Sequence, residues 1–159
     1  MKKIEKVLIA LDYDQSAKKV AETGFALVKA MGAKAILLHI MTDPVYYAST
    51  EYSPIMGFTG NMDNYPLSLE NTEDLKKATL HFLEKFKQNF GDETTLTMVK
   101  EGAFSESILK AAAELKVDII VIGTHSRKWL ENVLLGSVTE EVLRHTKIPL
   151  LIVPTKKQD

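Results

Sequence analysis

Residues 6–40 have the sequence KVLIALDYDQSAKKVAETGFALVKAMGAKAILLHI, in which the hydrophobic pattern changes twice. The two ends, KVLIAL (6–11) and AILLHI (35–40), are short apolar runs typical of strands buried on both faces of a parallel sheet. Between them, apolar and small residues recur at helical spacing, with Asp14 as a candidate N-cap and Gly32 as a candidate C-cap. The stretch therefore predicts a strand–helix–strand unit.

The rest of the chain continues this alternation of helices and strands. The predicted elements are a helix from about Glu73 to Asn89, a weak strand at 94–99, a helix at 105–115, a strand at 117–123, a helix from Ser137 to about His145 and a strand at 149–154. Five strands alternating with four helices predict an α/β fold with one doubly wound parallel sheet and helices on both of its faces. Both common windings of such a sheet place strand 1 in its centre.

Length and composition limit the classes of protein that this chain can form. Its 159 residues, 45% of them hydrophobic, are enough for a single domain spanning 1–159 with a full core. There is no cysteine, which excludes disulfides, thiolate metal sites and cysteine nucleophiles and is typical of a cytoplasmic protein. The 20 Lys and Arg residues nearly balance 21 Asp and Glu residues, so we expect no nucleic acid partner. No apolar stretch approaches the roughly 20 residues that span a bilayer, so we expect no membrane partner.

One segment, residues 42–72, interrupts the pattern. It lacks clear periodicity and contains three of the five prolines and four of the five tyrosines. A segment of this length without secondary structure of its own is usually a lid, a binding surface or a disordered loop. Because its aromatic residues can bury area, we expect a packed flap, and this flap is a candidate contact surface for a protein partner.

The expected ligand site of a doubly wound sheet lies beyond the carboxyl ends of its strands, where the winding reverses. In a 3-2-1-4-5 order that point lies between strand 1, which Asp12 follows, and strand 4, which ends at Gly123. The chain has neither GxxxxGK(S/T) nor GxGxxG after strand 1, which argues against a P-loop NTPase or a dinucleotide dehydrogenase. A phosphate can still bind at the start of the last helix, where Gly136 permits close approach and Ser137 offers a hydroxyl.

The same residues have a purely structural interpretation. Ser137, with Glu140 three residues later, fits a capping box, which satisfies two backbone donors without a ligand. From spacing alone, the phosphate site and the capped helix are both open. Asp12 is likewise either a residue that holds Mg²⁺ together with phosphates or one that orders its own loop. His39 is predicted to be a hydrogen-bonded core or crevice histidine, since the four histidines lack a metal-ligand spacing.

Most of the chain resembles one known family, the universal stress proteins. The stretches that carry the resemblance are VLIALDYDQSAKKV (7–20), AILLHI (35–40) and EGAFSESILKAAAELKVDIIVIGTHSRKWLENVLLGSVTEEVLRHTKIPLLIVP (101–154). The nucleotide-binding branch of the family carries a glycine, two residues, a second glycine, nine residues, and a glycine followed by Ser or Thr. Gly123, Gly136 and Ser137 match, whereas Ser126 stands at the second glycine. A left-handed backbone at Ser126 would cost roughly 1–2 kcal/mol and weaken phosphate binding about tenfold; otherwise its hydroxyl could donate to a phosphate.

The resemblance implies the sheet order 3-2-1-4-5, with ATP or another adenine nucleotide in the crevice between strands 1 and 4. Mg²⁺ would accompany the phosphates near Asp12. The nucleotide-binding residues that the resemblance implies are Ala10, Leu11, Asp12, Ile40, Ile122, Gly123, His125, Ser126, Arg127, Gly136, Ser137, Val138 and Thr139. No residue stands out as a general base for water, so we assign no catalytic residue.

The resemblance also implies a homodimer formed through the last strand, by Leu150, Leu151, Ile152 and Val153. Physical reasoning agrees, because this strand would otherwise be an exposed apolar edge. The implied function is that of a cytoplasmic, dimeric, ATP-binding regulator or sensor of the stress response. Two alternatives are an interaction module of the same fold that binds no nucleotide, and a slow ATPase.

Overall fold

The apolar run at residues 6–10 forms the central strand of a parallel sheet. The computed structural model describes residues 2–13, 15–42, 72–124 and 135–155. Its helices and strands are β1 (Lys6–Ala10), α1 (Ser16–Met31), β2 (Lys34–Met41), α2 (Thr72–Phe90), β3 (Leu96–Glu101), α3 (Phe104–Glu114), β4 (Ile119–Gly123), α4 (Ser137–His145) and β5 (Leu150–Val153). Every strand pair is parallel and the order is β3-β2-β1-β4-β5, which confirms the predicted fold class and strand order.

β1 is buried on both faces of the sheet. It pairs with β2 on one side and β4 on the other, so that Ile9 lies between Leu37 and Val121. Ile9 belongs to a buried cluster that includes residues of α1 and α2, whereas its neighbour Leu8 belongs to a cluster that includes residues of α3 and α4. Helices therefore cover both faces, as predicted.

α1 lies very close to β1 at one position. A Cβ atom on Gly24 would lie 2.6 Å from Cδ1 of Ile9 and 2.8 Å from its Cγ1. Real Cβ atoms do not approach other carbons so closely, and the side chain of Ile9 is fully buried. A glycine in the middle of a helix costs stability, so the close approach of helix and strand explains its presence here.

The predicted C-cap of α1 is confirmed, whereas its predicted N-cap is not. Gly32 has a left-handed φ of 63°, and its N–H donates to the carbonyl of Lys29, which confirms it as the C-cap. The helix begins at Ser16. Its N-cap is Gln15, with no side-chain capping bond, and not the predicted Asp14, which itself lies outside the described residues.

α2 packs an aromatic face against the sheet and α1. The ring of Phe82 is buried and meets Tyr13 edge-on at 4.6 Å and Phe86 at 5.1 Å between ring centroids. Near the end of the helix, Phe90 stacks on Phe25 of α1 at 4.2 Å. The helix extends one residue beyond its predicted range at each end.

β3 forms one edge of the sheet and is only partly buried. It begins at Leu96 and ends at Glu101, two residues later at each end than the strand predicted at 94–99. The hydroxyl of Thr97 donates to the carboxylate of Glu84 in α2 at 2.7 Å. A polar residue at this position interrupts the run of apolar residues by which a strand is recognised in a sequence. α3 begins and ends one residue before its predicted bounds.

The segment predicted as a flap, 42–72, falls almost wholly outside the described residues. Only its ends are described, where Thr42 follows β2 and Thr72 begins α2. The packed flap and its protein partner therefore stay predictions.

The contact between Gly24 and Ile9 predicts a coupling between the two residues. Gly24→Ala should lower the free energy of unfolding by about 1 kcal/mol, because overpacking costs about 1–3 kcal/mol and the better helix propensity of alanine returns about 1 kcal/mol. In an Ile9→Ala background the clash is absent, and Gly24→Ala should instead stabilise the protein. Urea unfolding of the four proteins measures the coupling.

Leu8→Ala provides the matched background for this cycle. Leu8 is also fully buried in β1, but on the opposite face of the sheet. Gly24→Ala should destabilise the Leu8→Ala protein as much as the wild type. Equal effects of Gly24→Ala in all three backgrounds would contradict the close contact.

Candidate functional site

The carboxyl ends of β1 and β4 lie side by side where the winding of the sheet reverses. The chain leaves β1 for α1 on one face and leaves β4 toward α4 on the other face. The register of the two strands pairs Ile9 with Val121, the residues directly before Ala10 and Ile122. We call the region formed by residues 10–13, 122–124 and 135–139 the β1–β4 edge. It is the position at which doubly wound sheets bind ligands.

Three of the predicted nucleotide-binding residues, two of them at this edge and one at the end of the neighbouring strand β2, belong to one apolar cluster. Ala10, Ile40 and Ile122 are all buried and belong to the same cluster, against which Val138 of α4 packs. They come from three neighbouring strands, so only the parallel sheet brings them together. Their side chains offer aliphatic contacts and no hydrogen bonds.

Leu11, another predicted nucleotide-binding residue, does not belong to this cluster. Its side chain lies in the buried cluster on the other face of the sheet. Its N–H donates to the carbonyl of Leu38 at 2.8 Å, and its carbonyl lies 2.8 Å from Nδ1 of His39. The side chain and both backbone polar groups of Leu11 are therefore engaged with the rest of the protein.

His39 connects β2 to the loop that follows β1. It is 1% exposed, and this burial lowers the pKa of its imidazole, while the charge of Asp12 and the bond to Leu11 act in the opposite direction. The imidazole is therefore neutral at neutral pH. Its Nδ1–H donates to the carbonyl of Leu11, since a carbonyl oxygen can only accept. The residue is a hydrogen-bonded core histidine, as predicted.

Asp12 orders the loop after β1, in agreement with one of its two predicted roles. Its Oδ1 accepts the N–H of Tyr13 at 2.8 Å, the one hydrogen bond of this carboxylate within the described residues. Tyr13 is itself buried against Phe82, and burial raises the pKa of its hydroxyl. The sequence analysis missed Tyr13 as an anchor of this loop. Its signal was an aromatic residue directly after Asp12 in a polar loop.

Gly123 ends β4 where three parts of the chain meet. A Cβ atom there would lie 2.8 Å from Cγ2 of Thr155 and 2.9 Å from Cγ2 of Val20 in α1. The carbonyl of Gly123 accepts the hydroxyl of Thr139 at 2.7 Å, which ties the first turn of α4 to the strand end. Packing alone therefore requires a glycine at this position.

Thr124 closes the loop between β4 and α4. Its N–H donates to the carbonyl of Val153 in β5 at 2.9 Å, and its carbonyl accepts the N–H of Gly136 at 2.7 Å. Its hydroxyl accepts the N–H of Thr155 at 3.0 Å. These bonds fix the start of α4 beside the ends of β4 and β5. Thr124 and Thr155 were missed by the sequence analysis, because a single threonine in a loop carries no periodic signal.

The capping box at the start of α4, one of the two interpretations that the spacing left open, is wrong. The N-cap is Gly136, in an extended conformation, and no side chain caps the helix. Ser137 is instead the first helical residue and is exposed. The carboxylate of Glu140 points along the helix and accepts from Arg144 at 2.6 Å. Because the helix starts one residue earlier than a serine cap requires, the Ser137 hydroxyl is not used to close it.

The structure places ten of the thirteen predicted nucleotide-binding residues and brings most of them to the β1–β4 edge. The other three, His125, Ser126 and Arg127, lie outside the described residues. The nucleotide-binding role of the whole set therefore stays a prediction.

Two further observations concern only the described part of the chain. In those residues, no group of three or more His, Asp and Glu side chains is arranged to hold a metal ion. None of the helices in the same ranges is long and apolar enough to cross a membrane.

The burial of His39 predicts a pH dependence of stability. In the native protein its pKa lies below the ordinary value of 6.5, so between these two pKa values the unfolded chain binds more protons than the native one. The free energy of unfolding should therefore fall as the pH falls from about 7 to about 5. Urea unfolding across this range should show the slope in the wild type and a smaller slope in His39→Gln.

His145→Gln is the matched control for this experiment. His145 is exposed on α4, where its Nδ1 lies 2.9 Å from the carbonyl of Glu141. The wild-type slope should persist in this variant. If His39→Gln kept the full slope, the neutral buried histidine would be contradicted.

Comparisons with known proteins agree on one family. A model described as the universal stress protein family matches residues 3–154. Universal stress protein MJ0577 of Methanocaldococcus jannaschii is 28% identical over 159 residues, which cover 96% of each chain, and YxiE of Bacillus subtilis is 27% identical over 93% of this chain and 97% of its own.

Solved structures give the same result for the fold. The structure of MJ0577 superimposes with a TM-score of 0.72 at 25% identity, over 99% of this chain and all of its own. A universal stress protein solved in complex with cAMP has a TM-score of 0.62 at 20% identity, over 98% of this chain and all of its own. The family match spans nearly the whole chain, and on this basis the protein belongs to the universal stress protein family.

Proposed function

We propose that this protein binds an adenine nucleotide, with ATP as the expected form, at the β1–β4 edge, and that it acts as a dimeric regulator or sensor in the stress response. The observation that carries the proposal is the start of α4, where Gly136 is the N-cap and the exposed Ser137 hydroxyl takes no part in a capping box. Membership of the family supports the link to stress.

The phosphates would bind at the first turn of α4. The N–H groups of Ser137, Val138 and Thr139 have no acceptor within the helix, because the first intrahelical bond runs from the N–H of Glu140 to the carbonyl of Gly136 at 3.0 Å. Three N–H groups and the positive end of the helix dipole favour an anion. The bond from Gly136 to Thr124 holds this turn against the sheet.

The base would lie against the apolar surface of Ala10, Ile40 and Ile122. Small-molecule sites are mostly apolar with a few convergent polar groups, and here the apolar surface and the helix start belong to the same edge. Val138, in the first turn of α4, packs against the cluster to which these three residues belong. A purine joined to phosphates matches this combination of an apolar surface and free N–H donors.

Asp12 would hold Mg²⁺ only together with the phosphates. One oxygen of its carboxylate accepts the N–H of Tyr13, which leaves the other for a cation. Mg²⁺ is usually bound by one or two carboxylates, substrate phosphates and water. Asp12 therefore fits a metal ion that arrives with the nucleotide, where the ion would neutralise phosphate charge.

One observation supports nucleotide binding and two argue for the alternative that binds no nucleotide. The relative solved with cAMP shows that a protein of this fold was crystallised with an adenine nucleotide. Against this, Ser126 replaces the second glycine of the motif, and packing alone accounts for Gly123. The alternative that these two residues favour is an interaction module of the same fold that binds no nucleotide.

Nucleotide release is the first test of the proposal. Freshly purified protein is denatured, and released nucleotide is identified by chromatography and mass spectrometry. Calorimetric titration of the stripped protein with ATP, ADP, AMP and cAMP should then show saturable binding. Ser137→Ala should weaken it about tenfold, because a hydrogen bond to a charged group contributes about 1.5 kcal/mol.

Ser105→Ala is the matched control for Ser137→Ala. Ser105 lies in the first turn of α3, which also follows the carboxyl end of a strand but at the β3 edge of the sheet. The affinity of the Ser105→Ala protein for the nucleotide should equal that of the wild type. No released nucleotide and no heat with any of the four ligands would reject the proposal, and binding gained only in Ser126→Gly would establish the interaction module.

We further propose that two copies pair through β5. This strand is at the edge of the sheet opposite β3, and Leu151 is 36% exposed on it. An exposed apolar edge strand is an unstable feature unless another chain covers it. Pro149 and Pro154 flank the strand and confine the pairing to its four residues, Leu150–Val153.

Charge substitutions on the two edge strands test the dimer. Leu151→Arg should convert the dimer to a monomer in sedimentation velocity experiments, because an arginine would be buried at the interface without a partner. Leu96→Arg is the control, since Leu96 is 56% exposed on the opposite edge strand, and it should leave the dimer intact. A monomeric wild type at micromolar concentration would overturn the β5 dimer.

A further inference from the structure

The amino-terminal edge of the sheet, opposite the β1–β4 edge, carries a second concave surface. Its volume is about 400 Å³, within the range of small ligand sites. Ile4, Val117 and Ile148 contribute apolar surface to it, and Lys2, Lys3 and Lys147 contribute positive charge. We call this surface the lysine groove. It shares no residue with the proposed nucleotide site.

The one acidic residue that lines the lysine groove is already neutralised. Asp118 forms an ion pair with Nζ of Lys2 at 2.8 Å and accepts the N–H groups of Glu5 and Lys6 at 2.9 and 3.1 Å. The bond from Lys2 and the two N–H groups lower the pKa of Asp118 to about 2. Asp118 is therefore ionised at neutral pH, and its nearest charged partner is Lys2.

Two lysines of the groove are left without such compensation. Lys3 and Lys147 are both exposed, and neither has an ion-pair partner within the described ranges. Further positive charge lies along the same edge, because Lys6 and Lys34 face each other in the register of β1 and β2. The nearest other acid in sequence is the exposed Glu5, whose charge acts on Lys2. In a chain with a net charge of −1, this edge is a local positive surface.

The shape and chemistry of the groove select among anionic ligands. Ile4, Val117, Ile119 and Ile148 are half-buried or buried, whereas Pro149 and the three lysines are exposed, and none of the apolar residues is aromatic. A recessed apolar surface cannot insert into a bilayer, and without aromatic rings it cannot stack nucleic acid bases. It can receive an aliphatic side chain whose neighbours are acidic.

We propose that the lysine groove binds an acidic peptide segment of a partner protein, with an aliphatic side chain inserted between Lys3 and Lys147. Charge complementarity sets the orientation and speeds the encounter. Burial of the aliphatic side chain against Ile4 and Ile148 supplies the anchor. The interaction does not depend on the nucleotide.

A titration followed by NMR tests this proposal at the level of single residues. The probe is an acetylated octapeptide with two leucines between two blocks of three acidic residues, added to the ¹⁵N-labelled full chain up to millimolar concentration. Saturable shifts of the Ile4, Ile119 and Ile148 amides are expected. The same peptide with serines in place of the leucines should bind at least tenfold more weakly.

Charge reversal in the groove completes the test. Lys3→Glu/Lys147→Glu should weaken binding at least tenfold, whereas Lys77→Glu/Lys110→Glu, which reverses two exposed lysines on α2 and α3, should change it less than threefold. Both variants should unfold at the wild-type temperature. The absence of saturable shifts at the groove, equal binding of the serine peptide, or binding to phosphatidylserine vesicles in place of the peptide would each overturn the proposal.

Discussion

β1 has a neighbouring strand on each side and a buried cluster on each face, and the rest of the sheet is arranged around it. Its five residues supply the pairing partners of β2 and β4 and divide the core into two halves. Because it is the centre of the strand order, its carboxyl end is also the place where the winding reverses. The same requirement that buries the strand therefore positions Asp12 and the loop that carries it.

The end of β4 is held in place by hydrogen bonds to neighbouring parts of the chain. Thr124 binds Val153 of β5 and Gly136, and Thr139 binds the carbonyl of Gly123, so three hydrogen bonds converge on two residues at the strand end. This arrangement satisfies the backbone at the chain reversal without using the Ser137 hydroxyl. It fixes the first turn of α4 in position, which is one condition that the proposed phosphate site requires.

The fold could be predicted from the sequence because its signals are local and repeated. Buried strands such as β1 and β2 appear as continuous branched apolar runs, and Gly32 marks the end of α1 by its backbone geometry. β3 was misplaced by two residues because an edge strand is half-buried and its apolar pattern is diluted. The candidate site was predicted mainly through the family motif, which spacing alone left open.

Other parts of the site depend on contacts that no sequence pattern shows. The role of Thr124 rests on Val153 and Gly136, which lie 29 and 12 positions away in the chain. Tyr13 is an anchor because α2, a distant segment, brings Phe82 against its ring. The capping box failed for a different reason: the pattern Ser-x-x-Glu was present, but the helix begins at that serine, so the register was shifted by one.

The packing around Gly123 changes how the glycine motif of this family can be interpreted. Val20 and Thr155 leave no room for a Cβ atom at that position, whether or not a phosphate is nearby. A chain that lost its ligand would still be selected to keep this glycine. In this chain the first glycine therefore gives no evidence for or against a bound phosphate, and that evidence must come from positions that the packing does not constrain.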